Sequence, residues 1–378
     1  MSEQNRLLLI GGDGVGAEVV HEAGRIAQWF AARRGLPLSI GQAAFGVEVL
    51  NRTGRIMTDD TLAQIRAADA VLFGAIGGPE YDRLPLEQVR EEGLLRIRRE
   101  LGLYANLRPV RYWPALAELC PFVPERVEKV DMMIVRELAG GIYYASPRGI
   151  YYASPRGIDQ TGDGRRVGTN TQRYDDLEIR RIARVAFELA RARGGRVCSV
   201  DKSNVLESGL LWREEVQACR DAEYPDVELE HILVDNCALQ LCLRPARFDV
   251  LLADNLFGDI LSDAAGAVAG SLGMLPSASF GAEDGGRRRG FYEPVHGSAP
   301  DIAGQGIANP LGAILSLALA LRWTFRQPAE ADLLERAVER ALAGGARTLD
   351  LLAGAAAPAL STRAMADAVL QALETLAA

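Results

Sequence analysis

The sequence has 378 residues, 48% of them hydrophobic, which is enough for a sizeable buried core in one large α/β unit or in two domains. The net charge of −8 disfavours nucleic acids and acidic membrane surfaces as partners, and no apolar run approaches the length of a membrane span. The five cysteines are scattered and the first fourteen residues lack a signal peptide's apolar core, which is typical of a protein of the reducing cytoplasm.

The first predicted strand, over residues 6–10, runs into the glycine-rich turn GGDGVG and then into a helix with one apolar face. Strand, turn and helix in this order open an α/β fold. The turn differs from the dinucleotide fingerprint GxGxxG, and no acidic residue is well placed after a second strand. We therefore predict a tight turn that lets the helix meet the strand.

A second buried strand, over residues 68–76, leads into a flexible loop of Gly77, Gly78 and Pro79. Such loops lie at the carboxyl ends of strands, where α/β proteins bind ligands. Residues 92–100 are predicted to form the next helix, because their apolar residues recur at helical spacing.

Three arginines stand in different predicted elements. Arg98 lies on the helix of residues 92–100, Arg108 precedes a proline in an extended segment, and Arg136 ends a buried strand. Each is ordinary alone, but a guanidinium that ends an apolar run needs an anionic partner. If the three converge, they would bind a small di- or tricarboxylate by bidentate pairing. Spacing does not show convergence, so this stays a hypothesis.

The segment GIYYASPR at residues 141–148 is repeated letter for letter at residues 149–156. Its aromatic and β-branched residues favour a strand, and Ser-Pro-Arg-Gly favours a turn. We predict a hairpin arm, lengthened by duplication, whose register is poorly specified because the repeat length is even. Residues 157–170 are glycine-rich and charged and are predicted to form a loop.

A lysine and an aspartate follow the next two strands. A helix over residues 175–193 precedes the strand of residues 196–200, after which comes Lys202. A lysine just beyond a buried strand is usually a solvated end charge, but it can also act as a base. Residues 227–235 alternate like a strand with one wet face, which places Asp235 at the strand's end.

Residues 254–266, DNLFGDILSDAAG, follow a short buried strand. A helix that begins near Leu256 places Asp259 and Asp263 four residues apart on one face. Two carboxylates that close repel each other unless a cation lies between them, and oxygen ligands suit Mg²⁺ or Mn²⁺. For this pair alone, a helix-terminal aspartate beside a second, solvated one is the commoner arrangement.

Residues 291–309 consist mainly of turn-forming residues. A long structureless stretch inside a compact α/β protein is usually functional. Helices over residues 311–325, residues 329–343 and after Thr362 are predicted to close the chain.

Eight motifs in this order resemble the β-decarboxylating dehydrogenases of the isocitrate/isopropylmalate family, over essentially the full length. They are GDGVGAEV at Gly12, GGP at Gly77, GLLRIR at Gly93, ANLRP at Ala105, VRELAGGIYY at Val135, SVDKSNVLE at Ser199, NLFGDILSD at Asn255 and EPVHGSAPDIAGQGIANP at Glu293. The resemblance implies an isopropylmalate dehydrogenase-like two-domain α/β/α fold, not a Rossmann fold. Residues 1–103 and 269–378 would form the NAD-binding domain. Residues 104–268 would carry the dimer interface, a protruding β-arm at about 138–168, and the metal and catalytic residues.

The resemblance also implies roles for the matched positions. In a homodimer with shared active sites, the general base would be Lys202 and the acid Tyr143, with Tyr151 of the second repeat copy as the alternative. The substrate's carboxylates would be bound by Arg98, Arg108 and Arg136, and its isopropyl group by a pocket of Glu91, Leu94, Leu95 and Val205. The ligands of Mg²⁺ or Mn²⁺ would be Asp235, which also contacts substrate, Asp259 and Asp263. NAD would be bound by Gly77, Gly78, Pro79, Glu91, Glu293, His296, Gly297, Ser298, Ala299, Pro300, Asp301, Ile302 and Asn309.

The implied function is oxidative decarboxylation of (2R,3S)-3-isopropylmalate to 4-methyl-2-oxopentanoate, in cytoplasmic leucine biosynthesis. His296 and Asn309 would flank the adenine, and Asp301 at the ribose would repel the 2′-phosphate of NADP. K⁺ is a further cation that the resemblance admits. D-malate and tartrate dehydrogenases of the same family are the first alternative, and a non-catalytic regulatory subunit is the second. A metal-dependent hydrolase would leave the HGSAPD segment unexplained.

Overall fold

The computed structural model describes residues 5–144, 157–354 and 358–378, which fold into alternating strands and helices. The strands are β1 Asn5–Gly12, β2 Leu38–Gln42, β3 Ala70–Ala75, β4 Ala105–Arg111, β5 Asp131–Glu137, β6 Gly157–Gln160, β7 Arg166–Thr169, β8 Arg196–Asp201, β9 Glu228–Leu233, β10 Val250–Ala253, β11 Pro276–Phe280 and β12 Gly290–Pro294. The helices are α1 Gly16–Arg33, α2 Val47–Thr53, α3 Asp59–Ala67, α4 Leu86–Glu92, α5 Leu94–Glu100, α6 Pro124–Val127, α7 Asp176–Arg191, α8 Glu207–Glu223, α9 Val234–Leu243, α10 Asn255–Ala265, α11 Leu311–Trp323, α12 Pro328–Ala343 and α13 Thr362–Ala377.

The chain divides into two compact units. The first unit comprises Met1–Leu103, Arg111–Pro124 and Gly266–Ala378, and the second comprises Tyr104–Val110 and Glu125–Ala265. Sequence analysis placed residues 111–124 in the second domain. In the structure this segment packs within the first unit, where Leu116 is buried and the Arg347 guanidinium donates to the carbonyl oxygen of Ala115.

The first unit is built on strands in the order β2-β1-β3-β12-β11. The pairs β1–β2, β1–β3 and β3–β12 are parallel, and β11–β12 is antiparallel. Helix α11 is buried from Leu311 to Leu321, as expected of a helix that is apolar on all sides. The glycine turn between β1 and α1 is tight, as predicted, because Gly12 and Gly14 adopt φ values of +70° and +56°.

The second unit is built on strands in the order β4-β5-β10-β8-β9, and the pairs β5–β10, β10–β8 and β8–β9 are parallel. Strand β10 is buried at every position, which explains its unbroken apolar sequence. Helix α7 begins at a capping box, in which Asp175 and Glu178 each accept from the other's backbone N–H. The predicted α/β fold class is confirmed.

Two predictions about the arm were wrong. Residues 157–170 were predicted to form a loop, but they contain the antiparallel hairpin β6–β7, which pairs Gly157 with Thr169. Glycine and polar residues make the hairpin's turn, where Gly164 has a φ of +84°, and this turn chemistry was mistaken for an irregular segment. Residues 141–143 were predicted as strand but form a 3-10 turn, which Gly141 enters at a φ of +71°. The rest of the repeat, residues 145–156, lies outside the described residues.

Three further local predictions were wrong. The helix predicted over residues 92–100 is divided at Gly93, whose extended backbone separates α4 from α5. Asp235 lies in the first turn of α9 and not at the end of a strand, because β9 ends at Leu233. Residues 291–294, predicted to be structureless, belong to β12. In the described part of the chain, no helix is both long and apolar enough to cross a membrane.

Candidate active site

Helix α10 of the second unit carries the acidic pair. Its start is fixed by Asp254, whose side chain accepts from the backbone N–H of Phe257 at 2.7 Å. Asp259 and Asp263 then lie one turn apart, as predicted. Burial raises the pKa of Asp263, and the nearby Asp259 charge adds to this effect. Two carboxylates on one helix face supply the oxygen ligands that a hard divalent cation prefers, so these residues fit the predicted metal.

Two of the three predicted arginines converge on this pair. Arg136, at the end of β5, is only 2% exposed, and its guanidinium donates to Asp259. Arg108, on β4, donates to Asp259 Oδ1 at 3.1 Å and to Asp263 Oδ1 at 3.0 Å. Gly258 permits this arrangement, because a Cβ there would lie 2.7 Å from Arg136 Cγ. The cluster therefore has two guanidinium groups and two carboxylates whose charges balance.

Asn255, which sequence analysis missed, holds Arg136 in place. Its side-chain oxygen accepts from Arg136 Nε at 3.1 Å and from Nη2 at 2.8 Å, and its amide donates to the carbonyl oxygen of Gly140 at 3.1 Å. Its backbone N–H donates to the hydroxyl of Tyr174 at 3.0 Å. Asn255 is buried, so these bonds link the arginine to the turn that precedes Tyr143.

Tyr143 joins the same cluster from the 3-10 turn. Its hydroxyl donates to Asp259 Oδ2 at 2.8 Å, and the guanidinium carbon of Arg136 lies 5.5 Å from its ring centroid. The cluster thus unites Arg108, Arg136, Tyr143, Asp259 and Asp263, all singled out from the sequence. Tyr151, the alternative acid, lies outside the described residues.

Lys202 and Asp235 form a separate ion pair in the second unit. Lys202 follows β8, and its ammonium group donates to Asp235 on α9, which lowers the pKa of that aspartate. Among the described residues of this single chain, no three His, Cys, Asp or Glu side chains form a group that could hold a metal ion. The predicted set of three aspartates is therefore not assembled within one chain.

Of the remaining predicted substrate residues, four belong to the first unit and Val205 belongs to the second. In the first unit, Arg98 donates to Glu293 Oε1 at 3.1 Å, and Glu91 accepts from Arg99 at 2.7 Å. Leu94 and Leu95 are half-buried on α5. In the second unit, Val205 is exposed in the turn after Lys202, where its N–H donates to the lysine's carbonyl oxygen.

A cavity of about 520 Å³ lies in the first unit beside residues 296–309, which we call the cofactor loop. Five predicted cofactor residues line it: His296, Gly297, Ala299, Ile302 and Asn309. Sequence analysis missed the other lining residues, which are Val15, Ser271, Leu272, Gly273, Ile307, Ala308, Leu349 and Asp350. Of the described residues that were predicted to bind NAD, those not lining this cavity are Gly77, Gly78, Pro79, Glu91, Glu293, Ser298, Pro300 and Asp301.

Four polar side chains line the cavity, those of Ser271, His296, Asn309 and Asp350. Burial lowers the pKa of His296, so its ring is neutral near pH 7, and Nδ1 lies 2.9 Å from the carbonyl oxygen of Gly297. Asn309 Nδ2 donates to Asp350 Oδ2 at 3.0 Å, while Asn309 Oδ1 accepts from the N–H of Leu311. Apolar walls with a few fixed polar groups are typical of sites for a heterocyclic ligand.

The loop of residues 77–79 is fixed by a residue of the glycine turn. Asp13 accepts from the N–H of Gly77 at 3.1 Å, from the hydroxyl of Tyr81 at 2.7 Å and from the N–H of Val47 at 2.7 Å. Asp13 is buried, and these three donors satisfy its carboxylate. The glycine turn therefore supports a loop that was predicted to bind the cofactor.

The chain is similar to known proteins over its whole length. The isocitrate/isopropylmalate dehydrogenase family model matches residues 6–369. A 3-isopropylmalate dehydrogenase 1 of Bordetella bronchiseptica is 98% identical over 378 residues, 100% of both chains. One of Bradyrhizobium diazoefficiens is 52% identical over 375 residues, which are 99% of this chain and 97% of the relative.

Two solved structures are also similar to this chain over nearly its whole length. An isocitrate dehydrogenase from Methylococcus capsulatus has a TM-score of 0.82 at 30% identity, covering 98% of this chain and 99% of its own. A β-decarboxylating dehydrogenase from Thermococcus kodakarensis has a TM-score of 0.73 at 34% identity, with coverages of 98% and 97%. Together with the charged cluster, these likenesses define the class of the protein as a decarboxylating dehydrogenase. The chain belongs to the isocitrate/isopropylmalate dehydrogenase family, and the predicted family and fold are confirmed.

Proposed function

We propose that this chain catalyses the NAD-dependent oxidative decarboxylation of (2R,3S)-3-isopropylmalate to 4-methyl-2-oxopentanoate in leucine biosynthesis. The observation that carries the proposal is 98% identity, over the full length, to a relative named 3-isopropylmalate dehydrogenase 1. The cluster of arginines and aspartates in the second unit supports it, because a dicarboxylate substrate needs cationic partners and a metal needs oxygen ligands.

Arginine side chains would bind the substrate's carboxylates. Arg108 and Arg136 already present buried or nearly buried guanidinium groups, and we assign Arg98 the same role. Leu94, Leu95 and Val205 would contact the isopropyl group, with a discrimination of roughly 1–3 kcal/mol per methylene. Apolar contacts of this kind would favour isopropylmalate over D-malate and tartrate.

The acid–base steps fall to Lys202 and Tyr143. Lys202 would take the proton of the substrate's hydroxyl, while hydride is transferred from the carbon that bears this hydroxyl to NAD⁺. The alcohol thereby becomes a ketone. Carbon dioxide then leaves from the neighbouring carbon, and Tyr143 would protonate that carbon. A divalent cation bound by Asp259 and Asp263 would supply a Lewis acid for the substrate's hydroxyl and ketone oxygen.

We also propose a homodimer in which a second copy completes the active site, by supplying Asp235 to the metal and the Lys202 that pairs with it as the base. Helices α9 and α10 carry the three aspartates, and they also expose apolar side chains, Leu239 at 54%, Leu243 at 44% and Ile260 at 59%. Exposed apolar residues grouped on adjacent helices indicate a protein interface. A dimer formed through α9 and α10 would cover these apolar side chains. We also propose that the protein acts in the cytoplasm.

The test is NADH formation by the purified chain with 3-isopropylmalate, D-malate or isocitrate, each with Mg²⁺ or with a chelator. We expect Mg²⁺-dependent turnover with the largest kcat/KM for 3-isopropylmalate. Preference for D-malate would favour the malate/tartrate alternative, and no turnover by a folded dimer would favour a regulatory subunit. Light scattering should give a dimer mass, and Ile260→Glu should yield inactive monomers. Leu177→Glu, at an exposed position of α7, should leave the dimer intact.

A further inference from the structure

The cofactor loop is held by the glycine turn, by α1 and by α13, all of which belong to the first unit. At its start, the N–H of Val15 donates to the carbonyl oxygen of Ser298 at 2.9 Å. Internal hydrogen bonds shape its middle, where Gln305 donates from its side chain to the carbonyl oxygen of Asp301 at 2.9 Å. The remaining anchors are two side chains from helices at the loop's back.

Glu18, in the first turn of α1, holds the middle of the loop. Its Oε1 accepts from the N–H of Gly304 at 2.6 Å, a short distance typical of a bond to a charged acceptor. Gly304 has a φ of +77°, so the backbone that offers this N–H takes a conformation that favours glycine. Glu18, the second acidic residue of the GDGVGAEV motif, therefore contacts the cofactor loop directly.

Thr362, the first residue of α13, holds the end of the loop. Its backbone N–H donates to the carbonyl oxygen of Gly306 at 2.8 Å, and its hydroxyl donates to that of Ala308 at 2.7 Å. The side chain is buried, and Ala308 itself lines the cavity. The hydroxyl therefore acts one residue away from the space that a ligand would fill.

We propose that Glu18 and Thr362 are positioning residues for the dinucleotide, which fix the cofactor loop in its binding conformation before the ligand arrives. Neither residue lines the cavity, while Ile302 and Ala308, which flank the anchored segment, do. A loop that is already ordered loses less conformational entropy on binding, so the anchors should appear in cofactor affinity. The inference rests on the proposed function, which assigns NAD to this cavity.

The experiment compares Glu18→Ala, Thr362→Val and the conservative Glu18→Gln and Thr362→Ser in the full chain. Glu22→Gln is the matched control, because Glu22 lies one turn further along α1 and pairs with Arg25, not with the loop. The readouts are the NADH dissociation constant from fluorescence titration, both KM values, and the melting temperature. The first two variants should weaken NADH binding and raise KM for NAD about tenfold, as loss of one good hydrogen bond would.

A positioning role for the cofactor loop predicts that the KM for NAD changes while the KM for isopropylmalate does not. KM for isopropylmalate should stay within about twofold in every variant, and the serine and glutamine variants should recover most of the NADH affinity. The control should lower the melting temperature as much as Glu18→Ala does without changing KM for NAD. If either large-effect variant does not fold, its conservative partner takes its place, with a smaller expected loss in NADH affinity.

Unchanged NADH affinity in both variants, or equal increases in both KM values, would overturn the inference. Failure of the NAD assignment gives a different result, because the wild-type chain would then bind no NADH, whereas a preference for D-malate would leave NADH binding and this test intact. A third substitution, Ile302→Glu, tests the cavity directly and should abolish NADH binding. If it leaves binding intact, the cofactor lies elsewhere and the inference fails with that assignment.

Discussion

The tandem repeat places Tyr143 and Tyr151 at equivalent positions of its two copies, and substitution of each in turn tests which one is the acid. Tyr143→Phe keeps the ring over Arg136 and removes the hydroxyl that donates to Asp259 Oδ2 at 2.8 Å. Tyr151→Phe makes the same chemical change eight residues further along and is the matched control. We expect only the first substitution to impair catalysis.

The size of the effect follows from the two roles of the Tyr143 hydroxyl. A positioned acid contributes about 10²–10⁴-fold to a rate, so kcat should fall by that factor. A hydrogen bond to a charged group is worth about 1.5–3 kcal/mol of stability, and Tyr143 is half-buried, so the loss should lie near the lower bound. The variant should therefore stay folded at the assay temperature.

Transient kinetics separate the acid from a merely structural tyrosine. Protonation follows hydride transfer, so Tyr143→Phe should still produce a burst of NADH in the first turnover and then stall. Wild-type activity in Tyr143→Phe with a large loss in Tyr151→Phe would refute the assignment and move the register of the arm by one repeat. Loss of the burst would show that the tyrosine is needed before the acid step.

Three further substitutions test the second unit. Asn255→Ala removes two hydrogen bonds to Arg136, each worth about 1 kcal/mol. The steady-state KM for isopropylmalate should therefore rise about tenfold or more, while the KM for NAD should not change. Gly258→Ala puts a methyl group 2.7 Å from Arg136 Cγ, so it should lower the melting temperature and raise the same KM, although alanine is the better helix former. Burial raises the pKa of Asp254 to about 6. Because this exceeds its unfolded-state value, its contribution to stability is lost as pH rises from about 4 to 6, and Asp254→Asn should flatten that part of the urea-midpoint profile.

For each of these three substitutions, a specific result would contradict the prediction. Equal changes in both KM values for Asn255→Ala would mean general loosening of the fold and not displacement of Arg136. A more stable Gly258→Ala variant would show that helix propensity outweighs the close contact with Arg136. If wild type and Asp254→Asn lose stability in parallel as pH rises, another buried carboxyl, such as Glu137, whose pKa burial also raises, is responsible.

Local sequence patterns predicted most helices and strands and the acidic face of α10, but they did not predict the contacts between these elements. The spacing of Asp259 and Asp263 was enough to place them together, because a helix repeats every 3.6 residues. The pairing of Arg108 with Asp259 joins residues that are 151 positions apart. It depends on the order of strands β4, β5 and β10, which no spacing in the sequence encodes.

The residues that sequence analysis missed have weak local signals. Asn255 begins α10 two residues after the end of the buried strand β10, and a polar residue near the carboxyl end of such a strand is a candidate site residue. Leu272 and Asp350 line the cofactor cavity from segments far from the 296–309 loop. They carry neither a motif nor a periodicity, because a cavity wall needs only shape and apolar surface from them.

The glycine turn shows why a motif cannot be interpreted without the surfaces it faces. GGDGVG has the glycine content of a dinucleotide fingerprint, yet its polar groups bind protein loops: Asp13 accepts from the N–H of Gly77, and the N–H of Val15 donates to Ser298. Its close turns serve the same physical purpose as in the fingerprint, which is to let backbone approach backbone.

Charge balance explains how the second unit can fold around the charged cluster of Arg108, Arg136, Asp259 and Asp263. Arg136 is almost fully buried, and an unpaired guanidinium there would cost several kcal/mol. Asp259 and Asn255 accept hydrogen bonds from Arg136, and Arg108 donates to both carboxylates of α10. A cation and a dicarboxylate would add opposite charges to this balanced set, so each ligand offsets the repulsion that the other meets. Binding of metal and substrate should therefore be mutually favourable, because the aspartates that would bind the metal pair with the arginines that would bind the substrate.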